Sequence, residues 1–141
     1  MMLELKVKLD EGAILPDRAH EDDAGLDLFS REDVTVRLKE SVTIDTGVHV
    51  AIPKGYVGFI KSKSGLMVKH SLLTDGTVDA GYTGAVRVTL FNHSYKHYTI
   101  LKGQKIAQLV LLPIITPQPV IVDDLEETER GSGGFGSTGA F

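Results

Sequence analysis

The chain has 141 residues, 42% apolar and 24% charged, with a net charge of −4 and no cysteine. That length suits one domain with a real core. The composition excludes disulfides and thiolate metal sites, and no basic face dominates as general nucleic-acid binding would require.

The first residues, MMLELKVKLDEG, mix charged and apolar side chains and lack a signal-peptide core. No apolar run reaches the roughly 18 residues of a membrane span. Together with the missing cysteine, this fits a reducing cytoplasm. Residues 3–9 alternate apolar and charged at strand period two, and residues 34–38 do the same. Residues 42–46 and 48–52 read as two strands separated by Gly47. Residues 56–61, 85–91 and 105–112 are further β-rich runs, the last apolar enough to predict burial on both faces. Residues 64–70, SGLMVKH, predict a short helix, and residues 120–122 one more strand. Gly, Pro, Asn and Asp punctuate between them, as at Pro53, Gly55, Asp75 and Gly103. Many short strands so spaced predict an all-β sandwich or jelly roll. From Arg130 the chain becomes RGSGGFGSTGAF, too rich in Gly and Ser to build a core. The expected division is a β-rich domain over residues 1–129 and a flexible tail over residues 130–141.

Five segments stand out: AGLDLFS at 24–30, KSGL at 63–66, GTVDAGYTG at 76–84, GQKIAQL at 103–109 and RGSGGFGSTG at 130–139. Each is weak alone. In this order, over nearly the whole chain, they resemble the five motifs of the dUTPase family. The resemblance implies a jelly-roll-like β-subunit, a homotrimer with shared active sites, and Mg2+ bound with dUTP. It also implies hydrolysis to dUMP and pyrophosphate, which limits uracil in DNA and supplies dUMP for dTMP synthesis.

The residues themselves admit plainer roles. An Asp in a turn, such as Asp79, commonly satisfies local backbone N–H groups; the resemblance makes it the general base for water. A lone Tyr82 suits a half-buried strand position; the resemblance places its ring beneath the deoxyribose, where a 2′-hydroxyl would clash. Gly76 and Val78 belong to the stretch whose backbone would match uracil, and a mismatched base would leave polar groups unpaired at roughly 1–3 kcal/mol each. Ser64 is a good helix N-cap, and with Gly65 it opens a helix whose free N–H groups suit phosphate. Lys63 and Lys105 stand where the family commonly has Arg, keeping the charge and losing the bidentate fork. Gln108 reads as a structural hydrogen bond in an apolar strand; the resemblance makes it a polar contact near the phosphates. Asp27 reads as a turn residue; the resemblance makes it structural or a contact to Mg-bound water.

A Gly/Ser-rich end is ordinarily a frayed terminus. The resemblance makes it a lid: Phe135 stacks on uracil, Arg130, Ser137 and Thr138 hold the γ-phosphate, and Gly136 permits close approach. The five histidines offer no convincing site, and His93 and His97 read as surface residues. Two rivals stand beside hydrolysis. A dCTP deaminase of the same fold would need a glutamate after the Tyr motif, where this chain has Ala85. A regulatory protein that binds dUTP and a protein partner is the other.

Overall fold

The structure, a computed structural model, describes residues 3–141. Ten strands and one helix follow in the order β1 (Lys6–Leu9), β2 (Gly25–Phe29), β3 (Val34–Val36), β4 (Ser41–Ala51), β5 (Tyr56–Lys61), α1 (Ser64–His70), β6 (Leu72–Leu73), β7 (Asp75–Val78), β8 (Ala85–Asn92), β9 (Tyr98–Ile100) and β10 (Lys105–Pro113). The protein is all-β and jelly-roll-like. One four-stranded sheet runs β1-β4-β8-β6, the second runs β2-β10-β5-β7, and β3 pairs with β9. Every pairing is antiparallel.

Alternation drives the layering. In β8, Val86, Val88, Leu90 and Asn92 point inward while Arg87 and Phe91 face out. Ile44, Val48 and Val50 of β4 meet Leu28 of β2, Ile60 of β5 and Ile106 and Leu109 of β10 in one core that joins both sheets. A fully buried Leu such as Leu28 or Leu109 contributes about 1.5–3 kcal/mol.

Four expectations change. Gly47 does not divide β4, which runs straight through it. The glycine takes φ +68 and the register with β8 shifts between Asp45 and His49. The Asp45 carboxylate accepts the Gly47 N–H at 2.8 Å, and the buried Thr46 hydroxyl donates to the Val86 carbonyl at 2.6 Å. The irregularity is thus a satisfied bulge, and pairing resumes at His49 opposite Ala85. In β10, only the first half is buried, and Leu112 and Pro113 are exposed. Residues 120–122 form no strand; they lie exposed and pair with none of the sheets. Ser64 is the first helical residue and not the cap. Lys63 is the N-cap, with extended φ and ψ and no side-chain capping bond, because an ammonium group has no acceptor to offer the helix N–H groups.

Candidate active site

The motif residues collect in three places. The first is one end of the second sheet. There β10 lies between β2 and β5, and Gln108 stands opposite both Asp27 and Lys61. Asp27 lies within a strand, not a turn, and is only 3% exposed. Each of its oxygens has a cation: Lys63 Nζ donates to Oδ1 at 2.6 Å, and Lys105 Nζ lies 3.2 Å from Oδ2. Burial pushes the Asp27 carboxyl up, but the two ammonium groups outweigh it and hold its pKa below the usual value. Two cations on one carboxylate leave a net positive cluster, partly open through Lys63 and Lys105.

Ser62 joins this end together, and nothing in the sequence pattern marks it. Its hydroxyl donates to the Thr74 carbonyl and accepts the Thr74 N–H, both at 3.0 Å. Its carbonyl accepts from Gln108 Nε2 at 3.0 Å. Gln108 therefore makes the structural bond open to it. Ser64 and Gly65, both exposed, follow Lys63 at the start of α1.

The second place is the connection between β7 and β8. Gly76 and Val78 lie in β7, opposite Ile60 and Gly58 of β5. As β7 ends its sheet, one side of its backbone has no strand partner there. Asp79 is exposed on the loop that follows, and its carbonyl accepts the Tyr82 N–H at 3.0 Å. Tyr82 is 45% exposed, and its hydroxyl donates to the Ala85 carbonyl at 2.8 Å. This fold-back needs Gly84, whose place a Cβ would share with the Tyr82 hydroxyl end.

The third place is the tail. Arg130, Gly133, Ser137 and Thr138 line a hollow of about 490 Å3 with Glu129. Arg130 Nε donates to the Gly133 carbonyl at 2.6 Å, and successive turns carry Gly136 with φ +91. Phe135 is fully exposed. Among the described residues, the hydrogen bonds of the tail are all local, and none ties it to either other cluster.

The first two clusters also stand apart. Lys61, next to the lysine cluster, pairs with Asp75, whereas Asp79 follows Val78 at the Gly58 end. Four residues of strand between Asp75 and Asp79 span roughly 13 Å. Of the histidines, His93 and His97 are exposed, with His97 Nδ1 accepting the Leu38 N–H at 3.0 Å.

The sequence model of the dUTPase family matches residues 11–139. The chain belongs to the dUTPase family. It is 43% identical over 142 residues to the deoxyuridine 5'-triphosphate nucleotidohydrolase of Clostridium acetobutylicum, covering 98% of each chain. It is 46% identical over 133 residues to that of Arabidopsis thaliana, covering 94% of this chain and 80% of the plant protein. The Staphylococcus bacteriophage 80alpha dUTPase, solved with dUpNHpp, superposes with a TM-score of 0.92 at 38% identity, covering 98% of this chain and 99% of the phage chain. A mutant dUTPase from phage phi11 of S. aureus, solved to show how a structural Mg(II) ion is coordinated, superposes at 0.83 with 35% identity over 89% of this chain and 100% of that one. Among the described residues, no helix is long and apolar enough to cross a membrane.

Proposed function

We propose that this chain hydrolyses dUTP to dUMP and pyrophosphate, with Asp79 as the base. One observation carries the assignment. Of the two motif carboxylates, Asp27 is buried between two ammonium groups, whereas Asp79 is exposed and, among the described residues, has no hydrogen bond or ion pair on its carboxylate. Only Asp79 is free to accept a proton. Its carboxylate orients a water, whose oxygen bonds to the α-phosphorus as the bond to the bridging oxygen of the β-phosphate breaks. The water's proton passes to Asp79 and pyrophosphate leaves. Lys63 and Lys105 offset charge on the phosphates, joined by Ser64, Gly65 and Gln108. Uracil pairs with the open backbone of Gly76 and Val78, and the deoxyribose lies on Tyr82.

Mg2+ belongs to this reading as an ion borne by the nucleotide. Among the described residues, no three of His, Asp and Glu converge on one point, and both oxygens of Asp27 already meet cations. The donor set suits an ion held by the triphosphate and water, with Asp27 touching it through a water. Bound there, Mg2+ supplies charge neutralisation on the phosphates.

The site is shared in a homotrimer. Two features support this: the separation of the three clusters within one chain, and a run of uncovered apolar side chains on the way to the tail. Ile115, Val120, Ile121 and Leu125 are each at least 78% exposed, more than a subunit working alone leaves open. Residues 130–141 act as a flexible lid that brings Arg130, Phe135, Gly136, Ser137 and Thr138 over the nucleotide of a neighbouring site.

The test is turnover of dUTP, dCTP and UTP with Mg2+, reading pyrophosphate and ammonia. Pyrophosphate from dUTP alone is expected, with Asp79→Asn retaining nucleotide binding and losing most turnover. Ammonia from dCTP, or an Asp79→Asn variant near the parent rate, overturns the reading.

A further inference from the structure

The loop over residues 79–84 is tied mostly to itself. The Tyr82 N–H meets the Asp79 carbonyl and the Tyr82 hydroxyl meets Ala85. Among the described residues, one side chain from elsewhere reaches it: His49 Nδ1, on β4, is 2.8 Å from the Thr83 carbonyl. The other ring nitrogen, Nε2, is 2.9 Å from Asp10 Oδ2. Asp10 is itself fixed at the end of β1, where its N–H donates to the Gly47 carbonyl at 2.8 Å. The bulge at Gly47 brings β4 back into register with His49 opposite Ala85, the residue after the loop.

Both partners of the ring are acceptors. A carbonyl oxygen has no proton to give, and neither does an ionised carboxylate. Both nitrogens must therefore carry protons for both contacts to hold, and only the imidazolium has two. In the neutral ring one lone pair faces an acceptor. The carboxylate is the stronger acceptor and keeps its N–H, so the Thr83 contact is the one lost.

We propose that His49 is a positioning residue, whose charged ring, braced by Asp10, fastens the Thr83 carbonyl and so sets the loop that presents Asp79 and Tyr82. The catalytic meaning of that loop rests on the function proposed above; the fastening does not. The charged groups around the ring are few. Asp10 favours the imidazolium. Lys8, opposite His49 on β1, opposes it, and Lys6 lines the same hollow of about 450 Å3. Arg31 acts on Asp10 but is engaged by Asp45. On β8 the facing residue is Ala85, and Arg87 stands opposite Asp45. The Thr83 carbonyl, and next Asp10, hold the His49 pKa above its ordinary 6.5, against burial and Lys8. The clasp is therefore closed below about 6.5 and opens as pH rises through the folded-state value.

The experiment is amide hydrogen exchange on the full chain without nucleotide, from pH 6 to 9, with an NMR titration of His49. In the parent, exchange over residues 80–84 should step up several-fold beyond the intrinsic pH dependence as His49 deprotonates. His49→Ala should exchange fast at all pH values without a step, while core amides of β4 and β8 stay protected. Asp10→Asn should move both the titration and the step to lower pH, and it serves should His49→Ala fail to fold. With dUTP, His49→Ala should both lower kcat and raise KM, because the loop carries Asp79 as well as Tyr82. A parent without the step, a step that ignores Asp10→Asn, or equal acceleration of loop and core amides overturns the proposal. If the parent does not hydrolyse dUTP, the function reading fails, and the exchange data decide the clasp alone.

Discussion

Asp27→Asn isolates what one buried carboxylate does for this fold. The substitution keeps shape and removes the charge that holds two ammonium groups. A hydrogen bond to a charged group contributes about 1.5–3 kcal/mol, and the Lys63 contact, at 2.6 Å on a side chain only 4% exposed, belongs in that range. The Lys105 side chain is 49% exposed, so solvent reduces its share to about 0.5 kcal/mol. Asparagine retains one carbonyl acceptor and offsets part of the loss. The net cost at pH 7 is about 1–3 kcal/mol, or on the order of 4–10 °C in Tm. The sign with pH follows from the direction of the shift. The folded pKa of Asp27 lies below its unfolded value of about 3.9, so its contribution is present above that value and is lost as pH falls through the folded pKa. Thermal or urea unfolding of parent and variant, at one protein concentration and from pH 7 to 3, should show a gap that narrows only below about pH 4. An unchanged midpoint at pH 7, or a gap that stays constant to pH 3, refutes the reasoning.

Three further outcomes are expected. Truncation after Arg130 should leave the core and assembly intact, because the tail buries nothing in the sheets, yet strongly reduce turnover; unfolding on truncation would make the tail structural. Light scattering should return three times 15.3 kDa, and a fully active monomer would break the shared-site reading. Lys63→Ala should lower kcat/KM for dUTP on the order of 10- to 100-fold, from a charge-assisted contact of roughly 1.5–3 kcal/mol, while Lys63→Arg should be tolerated; parent-like Lys63→Ala kinetics would remove Lys63 from the phosphates.

Local pattern carries the elements whose causes are local. Strand β5 and helix α1 fall where periodicity puts them, as the apolar spacing and turn residues lie within a few positions. The short strands β6 and β9 are not legible in the sequence, because two or three residues hold a strand only through distant partners: Leu73 through Phe91, and Thr99 through Thr35. Residues 120–122 show the converse, with β-forming side chains that pair with no strand of the chain. Asp27 reads as a turn residue for the same reason. Its place is set by Lys63, 36 residues on, and by Lys105 on another strand. His49 carries no signal in the sequence because its meaning depends on Asp10 and Thr83, one on each side of its strand, and sequence distance hides both.

Pairing with Asp27 does not take the two lysines out of a phosphate site. An ammonium group has three donors, and Asp27 engages each lysine through one oxygen. Each amine keeps N–H groups for a second acceptor. The carboxylate thus fixes two flexible stems at the same end of the sheet before any anion arrives, reducing the rotamer entropy that a lone lysine loses on binding. An arginine reaches similar order through its rigid planar fork. On the function proposed above, a lysine would reach it here through a buried partner, so that a chain with Lys at both positions would hold a polyanion. It also ties the two substitutions together. Removing Asp27 should weaken the phosphate contacts of Lys63 and Lys105 even though Asp27 itself is anionic. A simple Coulomb argument from the lost negative charge gives the opposite sign, so KM for dUTP in Asp27→Asn separates the two: a rise supports bracing by Asp27, and a fall shows that the carboxylate only repels the substrate.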